Sequence, residues 1–100
     1  MSTESYVNHT GELNMIWSKN DIRKARKIFI APILKKIGYR LIPLGFDNFK
    51  VSDYGNLIIK HNYFYWHDRK MKGNAIDFFM LIEKKNFSDS MKILMNMKVK

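Results

Sequence analysis

The stretch LIIKHNYFYWHDRKMKGNAIDFF, residues 57–79, decides how this chain folds. Leu57–Lys60 and Tyr63–His67 are runs of β-branched and aromatic residues, the composition of strands, and only His61 and Asn62 separate them. That gap has the spacing of a tight hairpin, with Asn62 as the residue tolerant of positive φ. Alternation along the second run sends Tyr63, Tyr65 and His67 to one side and Phe64 and Trp66 to the other. One side feeds a core; the other shows amphipathic rings beside cations. Asp68–Gly73 reads as a basic loop. Asn74 caps a helix in which Ile76, Phe79, Met80 and Glu83 share a spacing, with Lys84 and Lys85 at its C-terminal end.

Upstream, Tyr39–Ile42 and Phe49–Val51 read as further strands, separated by turn residues at Gly45, Asp47-Asn48 and Ser52–Asn56. The middle of the chain is thus an antiparallel meander of three or four strands. Ser18–Asn20 offers a helix start with Asp21 well placed against the dipole. At 3.6 residues per turn, Ile22, Ala25, Phe29, Ile33 and Ile37 share one face, with Arg23, Lys24, Lys27 and Lys35 opposite. Pro32 either kinks this helix or starts a second one after a break near Ile30, and Gly38 stops it in both versions. Downstream, Asn86 is a left-handed stop, and Ser88 caps a last helix through Met91, Leu94 and Met95. Two helices joined by Lys85–Phe87 have the short connection of a helix-turn-helix pair. The expected fold is α+β: an N-terminal helix, an antiparallel meander or ribbon, and two C-terminal helices in a winged-helix-like arrangement. Residues 1–18 are expected to form an arm and residues 19–100 a single domain.

The charge points to a partner class. The 100 residues hold 18 Lys and Arg against nine Asp and Glu, a net +9. Residues 1–18 carry two of the acids and none of the bases, so residues 19–100 hold 18 bases against seven acids, +11. Such a surplus on one small domain is the electrostatic footprint of a nucleic-acid binder; the bland alternative is a lysine-rich solvated surface. The bases are spread over several elements, which argues against a membrane-surface helix. No apolar run reaches the length of a membrane span, and no basic stretch followed by an apolar one opens the chain, so a cytoplasmic location is expected.

Catalytic chemistry finds little to work with. There is no Cys, which removes thiol nucleophiles and thiolate metal sites. There is no glycine-rich phosphate loop and no close acid pair. His9, His61 and His67 are scattered, and a His61/His67/Asp68 site lacks a fourth ligand. The expectation is a non-enzymatic protein without metal or cofactor.

Two resemblances bear on the partner. Gly73-Asn74-Ala75-Ile76-Asp77-Phe78, followed by Phe87-Ser88-Asp89-Ser90-Met91 and Leu94, resembles the end of the primase-type zinc-ribbon domain of mobile elements. Leu57–Ile59 and Trp66 resemble that family's strand pair, so the likeness spans roughly residues 38 to 96. Every zinc-binding Cys of that family is missing, so no metal-supported ribbon is implied, and no catalytic primase domain is expected within these 100 residues. In size, charge and layout the chain is also similar to the small winged-helix accessory protein that binds the transfer origin of clostridial conjugative plasmids. That likeness implies a dimer on short repeats in duplex DNA, as part of a relaxosome.

The resulting expectation is a homodimeric, sequence-specific double-stranded DNA-binding protein of a mobile element, an accessory or regulator of conjugative transfer. The ribbon and loop would contact DNA through Lys60, His61, Asn62, Tyr63, Tyr65, His67, Arg69, Lys70, Lys72 and Asn74. Lys35, Lys36 and Arg40 would hold phosphates beside it; Arg69 or Arg40 would read guanine, and Asn62 or Asn74 adenine. The alternatives are an adaptor that docks a relaxase, primase or replication protein, and a single-stranded nucleic-acid binder whose tyrosines stack unpaired bases. The dimer expectation rests on Tyr6, Ile16 and Trp17 of the arm, which bring more apolar surface than a free terminus should carry.

Overall fold

Ser18 opens the first helix with a reciprocal cap: its Oγ accepts from the Asp21 N–H at 3.0 Å, and the Asp21 carboxylate accepts from the Ser18 N–H at 3.1 Å. The computed structural model describes residues 17–97, so all of the expected arm except Trp17 and Ser18 lies outside the described residues. Trp17 itself packs against the core. Helix α1 (Lys19–Arg26) stops before the proline, and α2 (Ile30–Lys36) starts afresh with Pro32 in its first turn, where no N–H partner is needed. Of the two readings of Pro32, the break holds. It falls at Lys27–Phe29 and turns the apolar face: α2 buries Ile30, Ala31, Ile33 and Leu34, whereas Phe29 and Ile37, expected inward, are 53% and 40% exposed. Gly38 ends α2 with φ +104, and the Gly38 and Tyr39 N–H groups cap the Lys35 and Leu34 carbonyls.

Five strands follow in simple meander order: β1 (Leu41–Gly45), β2 (Asn48–Val51), β3 (Leu57–Lys60), β4 (Tyr63–Trp66) and β5 (Met71–Asn74), all antiparallel. The fifth corrects the expectation of a loop at Asp68–Gly73; Met71–Asn74 instead completes the ladder against Tyr63–Trp66. The β1–β2 turn, Phe46-Asp47, has both residues left-handed, the geometry that suits a twisted hairpin. In the β3–β4 turn the left-handed residue is His61 rather than Asn62. The Asn62 side chain serves as a tie instead, its amide donating to the Arg26 carbonyl at 2.7 Å, while the His61 carbonyl accepts from the Ile30 N–H at 2.8 Å. This turn therefore fixes the corner between α1 and α2.

Asn74 caps the next helix as expected, in a reciprocal cap with Asp77. Gly73 permits it, because a Cβ there would lie 2.5 Å from the Asp77 Cβ. Helix α3 (Ala75–Asp77) widens into a π-helical turn over Phe78–Ile82. Lys84, not Asn86, adopts the left-handed conformation that ends it. Asn86 instead accepts from the Asp89 N–H at 2.7 Å and so caps α4 (Phe87–Met97), the role expected of Ser88. The helix order therefore differs from a fold with one N-terminal helix: the break leaves two short helices before the sheet.

The helices cover one face of the sheet. Val51, Leu57, Ile59 and Phe64 point into a core closed by Ile30, Leu34, Phe78, Phe79, Met91 and Leu94. Phe64 meets Phe78 edge-on at 5.5 Å, a pairing worth about 0.5–1.5 kcal/mol beyond area burial. The outer edge is guarded. The Ser52 N–H to Arg40 carbonyl bond makes Arg40 and Ile42 the residues bonded to β2, so the nitrogen of Pro43 lies on the free side of β1. A proline there withholds a donor from any added strand. Among the described residues no helix is long and apolar enough to cross a membrane.

Candidate nucleic-acid interface

Among the described residues no helix lies over the second sheet face. Register places residues on it in rows. Ile42, Lys50, Ile58, Tyr65 and Lys72 stand side by side across the five strands, and Asn48, Lys60, Tyr63 and Asn74 form a second row across the last four. Alternation brings them there: in β4, Phe64 is fully buried while Tyr63 and Tyr65 are 46% and 39% exposed. These two rows carry three lysines and no acid. With strands about 4.8 Å apart, the five-strand face is about 19 Å across. His67, just past β4, lays its ring 4.1 Å from that of Tyr65.

The sequence-predicted residues divide in three. Lys60, Tyr63, Tyr65, His67, Lys72 and Asn74 are gathered on or beside this face. Arg40 immediately precedes β1 with the parity of Ile42, and so borders the same face. Lys35 and Lys36 lie elsewhere, on α2; the Lys35 ammonium sits 4.9 Å over the Phe49 ring, on the helix side. His61 is a turn residue, stacked on Phe29 at 4.8 Å with Nε2 3.3 Å from Asp47 Oδ2.

The β4–β5 connection is a short 3-10 turn, His67–Arg69, closed by Lys70 in the left-handed conformation. Arg69 is held there by structure: its guanidinium lies 5.0 Å over the Trp66 ring, on the opposite side of β4 from the tyrosines. Asp68 accepts from both the backbone N–H and the side-chain amide of Asn56, which keeps its carboxyl below the ordinary carboxylate range. Those bonds fasten the β2–β3 loop to the β4–β5 turn. They also need Gly55, which is left-handed at φ +65 and has no room for a Cβ beside the Asp68 carboxylate. Asn62 and Asn74, the expected adenine readers, both spend side-chain hydrogen bonds on the fold.

Four members of the face lie outside the set expected from sequence: Ile42, Lys50, Ile58 and Asn48. The alternation Asn48-Phe49-Lys50-Val51 carries a signal for two of them, but which face it serves depends on register. Phe46, 90% exposed at the tip of β1–β2, is a further addition.

Among the described residues no three His, Cys, Asp or Glu side chains cluster closely enough to hold a metal ion. Tyr39, Tyr54 and Trp66 form a chain of ring contacts at 5.8 and 5.7 Å beneath the sheet end. Tyr39 donates to the Glu83 carboxylate; burial first, then that bond, push its hydroxyl well above the ordinary tyrosine range. The pair joins the start of β1 to the end of the π-helical segment. In comparisons with known proteins, the chain matches no family model, no curated protein and no solved structure.

Proposed function

We propose that this protein is a non-enzymatic nucleic-acid-binding module whose contact surface is the uncovered sheet face, and that its preferred ligand is a single strand. The observation that carries this reading is the row Lys50–Ile58–Tyr65–Lys72 with Lys60 and Tyr63 beside it: half-exposed rings between cations, in two rows that hold no acid, with Asp68 near Lys50 at their border. Unpaired bases stack on such rings regardless of sequence, while the lysines follow the phosphates. A face this wide accommodates on the order of four nucleotides. Arg40, Lys50, Lys60 and Lys72 would neutralise three or four phosphates, so log affinity should fall against log salt with a slope of about −2 to −3.

Duplex recognition by a winged helix is the second reading. It is supported by the exposed β4–β5 turn, which carries Arg69 and Lys70 where a small wing would carry its cations. Its difficulty is α4, which buries Ser90, Met91 and Leu94 and offers only Lys92 and Asn96 as readers. Both resemblances would place the nucleic acid in the transfer or replication machinery of a mobile element. Fluorescence anisotropy with a labelled single strand and the corresponding duplex, each over a range of salt, separates the readings. Tighter single-strand binding supports the sheet face, tighter duplex binding supports the wing, and no salt-dependent binding of either leaves the adaptor.

A further inference from the structure

At the turn end of the sheet, between α2 and the β1–β2 hairpin, lies a pocket of about 160 Å³ lined by Phe29, Pro32, Lys35, Asp47, Phe49 and His61. Pockets for drug-sized ligands are several times larger, so this one takes a single flat ring system. Its apolar surfaces are planar: Phe29 and His61 are stacked 23° from parallel, and the Phe49 ring has the Lys35 ammonium over it. Phe29 is 53% exposed although it is a large apolar side chain at a helix start, so one side of that stack is open.

The polar equipment is specific. Asp47 stands at the rim with its side chain 77% exposed, and Oδ2 is 3.3 Å from His61 Nε2. A carboxylate has about four acceptor positions, so this contact leaves most of them unused. The turn holding Asp47 is maintained against strain, since Phe46 and Asp47 both have positive φ. Asp47 and His61 are also the chain neighbours of Asn48 and Lys60, which pair across β2 and β3 at this end of the open face. Phe49 and Lys35 belong to the helix side of the sheet, so a strand leaving the open face past Lys60 would reach the pocket by passing over the turn at His61.

Resting on the single-strand reading above, we propose that this pocket is a base-specific subsite that takes a guanine splayed from the bound strand. The base stacks on Phe29 and His61, its N1–H and exocyclic amine donate side by side to the Asp47 carboxylate, and Lys35 meets the adjoining phosphate. Guanine presents two adjacent donors on its Watson–Crick edge, whereas adenine, cytosine and thymine present no such pair. A carboxylate is therefore the acceptor that distinguishes it.

The test uses the full chain and two labelled strands, homothymidine and the same strand with one central guanine. The guanine strand should bind about tenfold more tightly, the increment of a charge-assisted hydrogen-bonded contact. Asp47→Asn should remove that preference. Asparagine tolerates the left-handed turn position, so the variant keeps the fold. Charge alone predicts the opposite sign, because removing an acid strengthens binding to every strand. Phe29→Ala, at an exposed position, should also lower the preference. Equal affinity of the wild type for both strands, or a guanine preference that survives Asp47→Asn, overturns the subsite while the sheet-face reading stands. Failure of both strands to bind overturns the sheet face and the subsite with it.

Discussion

Tyr65 on β4 and Lys72 on β5 face each other directly on the side of the sheet that no helix covers among the described residues. Residues of Tyr65's parity bond toward β3, as the His67 N–H to Asn56 carbonyl bond shows, so Tyr65 and Lys72 form a non-hydrogen-bonded pair with closely spaced side chains. A ring and a cation are thus presented together. Tyr65→Ala and Tyr63→Ala should each weaken single-strand binding by about 1–3 kcal/mol, with the melting temperature changed little because both rings are substantially exposed. Anisotropy titrations beside thermal denaturation check both halves of the expectation.

Arg69 and Lys72 carry the same charge within one short segment but should behave differently. Arg69 covers Trp66, so Arg69→Ala should cost about 0.5–1 kcal/mol of stability, measured by urea denaturation, and only modestly affect single-strand binding. Lys72→Ala should leave stability near wild type and reduce the steepness of the salt dependence by about 0.7 in slope. A duplex-binding wing would give the converse, with Arg69 and Lys70 dominating affinity.

Much of this architecture is legible in the sequence alone. The hairpin around His61-Asn62, the burial of Phe64 against the exposure of Tyr63 and Tyr65, the Asn74 cap and the Gly38 stop follow from local rules that the packing does not override. Strand β5 does not, because Met71-Lys72-Gly73-Asn74 has neither β-branched residues nor apolar alternation. It is an edge strand made by pairing with β4, and such context outweighs propensity. Lys50 and Ile58 join the face for a similar reason: their neighbours are fixed by a register that spans the β2–β3 loop. At His61 and Lys84 local preference points to the nearby asparagines, since asparagine tolerates the left-handed conformation best. In the fold those asparagine side chains serve as a corner tie and a helix cap.

Glycine tolerance should follow geometry. Gly73→Ala puts a Cβ 2.5 Å from Asp77 in the α3 cap and should destabilise by about 1–3 kcal/mol. Gly38→Ala has open space around it and should cost only the strain of its left-handed backbone, about 1 kcal/mol. Chemical denaturation of the two variants distinguishes a clash from strain.

The pH dependence of stability should show Tyr39. Its hydroxyl is raised in the folded state above the ordinary 10.0, so folding keeps a proton that the unfolded chain releases. That contribution is complete below pH 10 and declines as pH rises beyond it, by at most about 1.4 kcal/mol per unit and by less because solvent reaches the ring. Tyr39→Phe should flatten the alkaline decline. Asp68 acts at the other end: its lowered value makes the Asn56 tie complete above the ordinary 3.8 and lost as pH falls below it. Denaturation midpoints across pH, for wild type and Tyr39→Phe, check the alkaline limb.

The most direct test of the sheet-face account is a map of backbone amide shifts in isotope-labelled protein titrated with a short thymidine oligonucleotide. The account predicts that the largest changes fall on Lys50, Ile58, Lys60, Tyr63, Tyr65 and Lys72, with α4 silent. Changes concentrated on Lys92 and Asn96, with those strand residues unmoved, would contradict it.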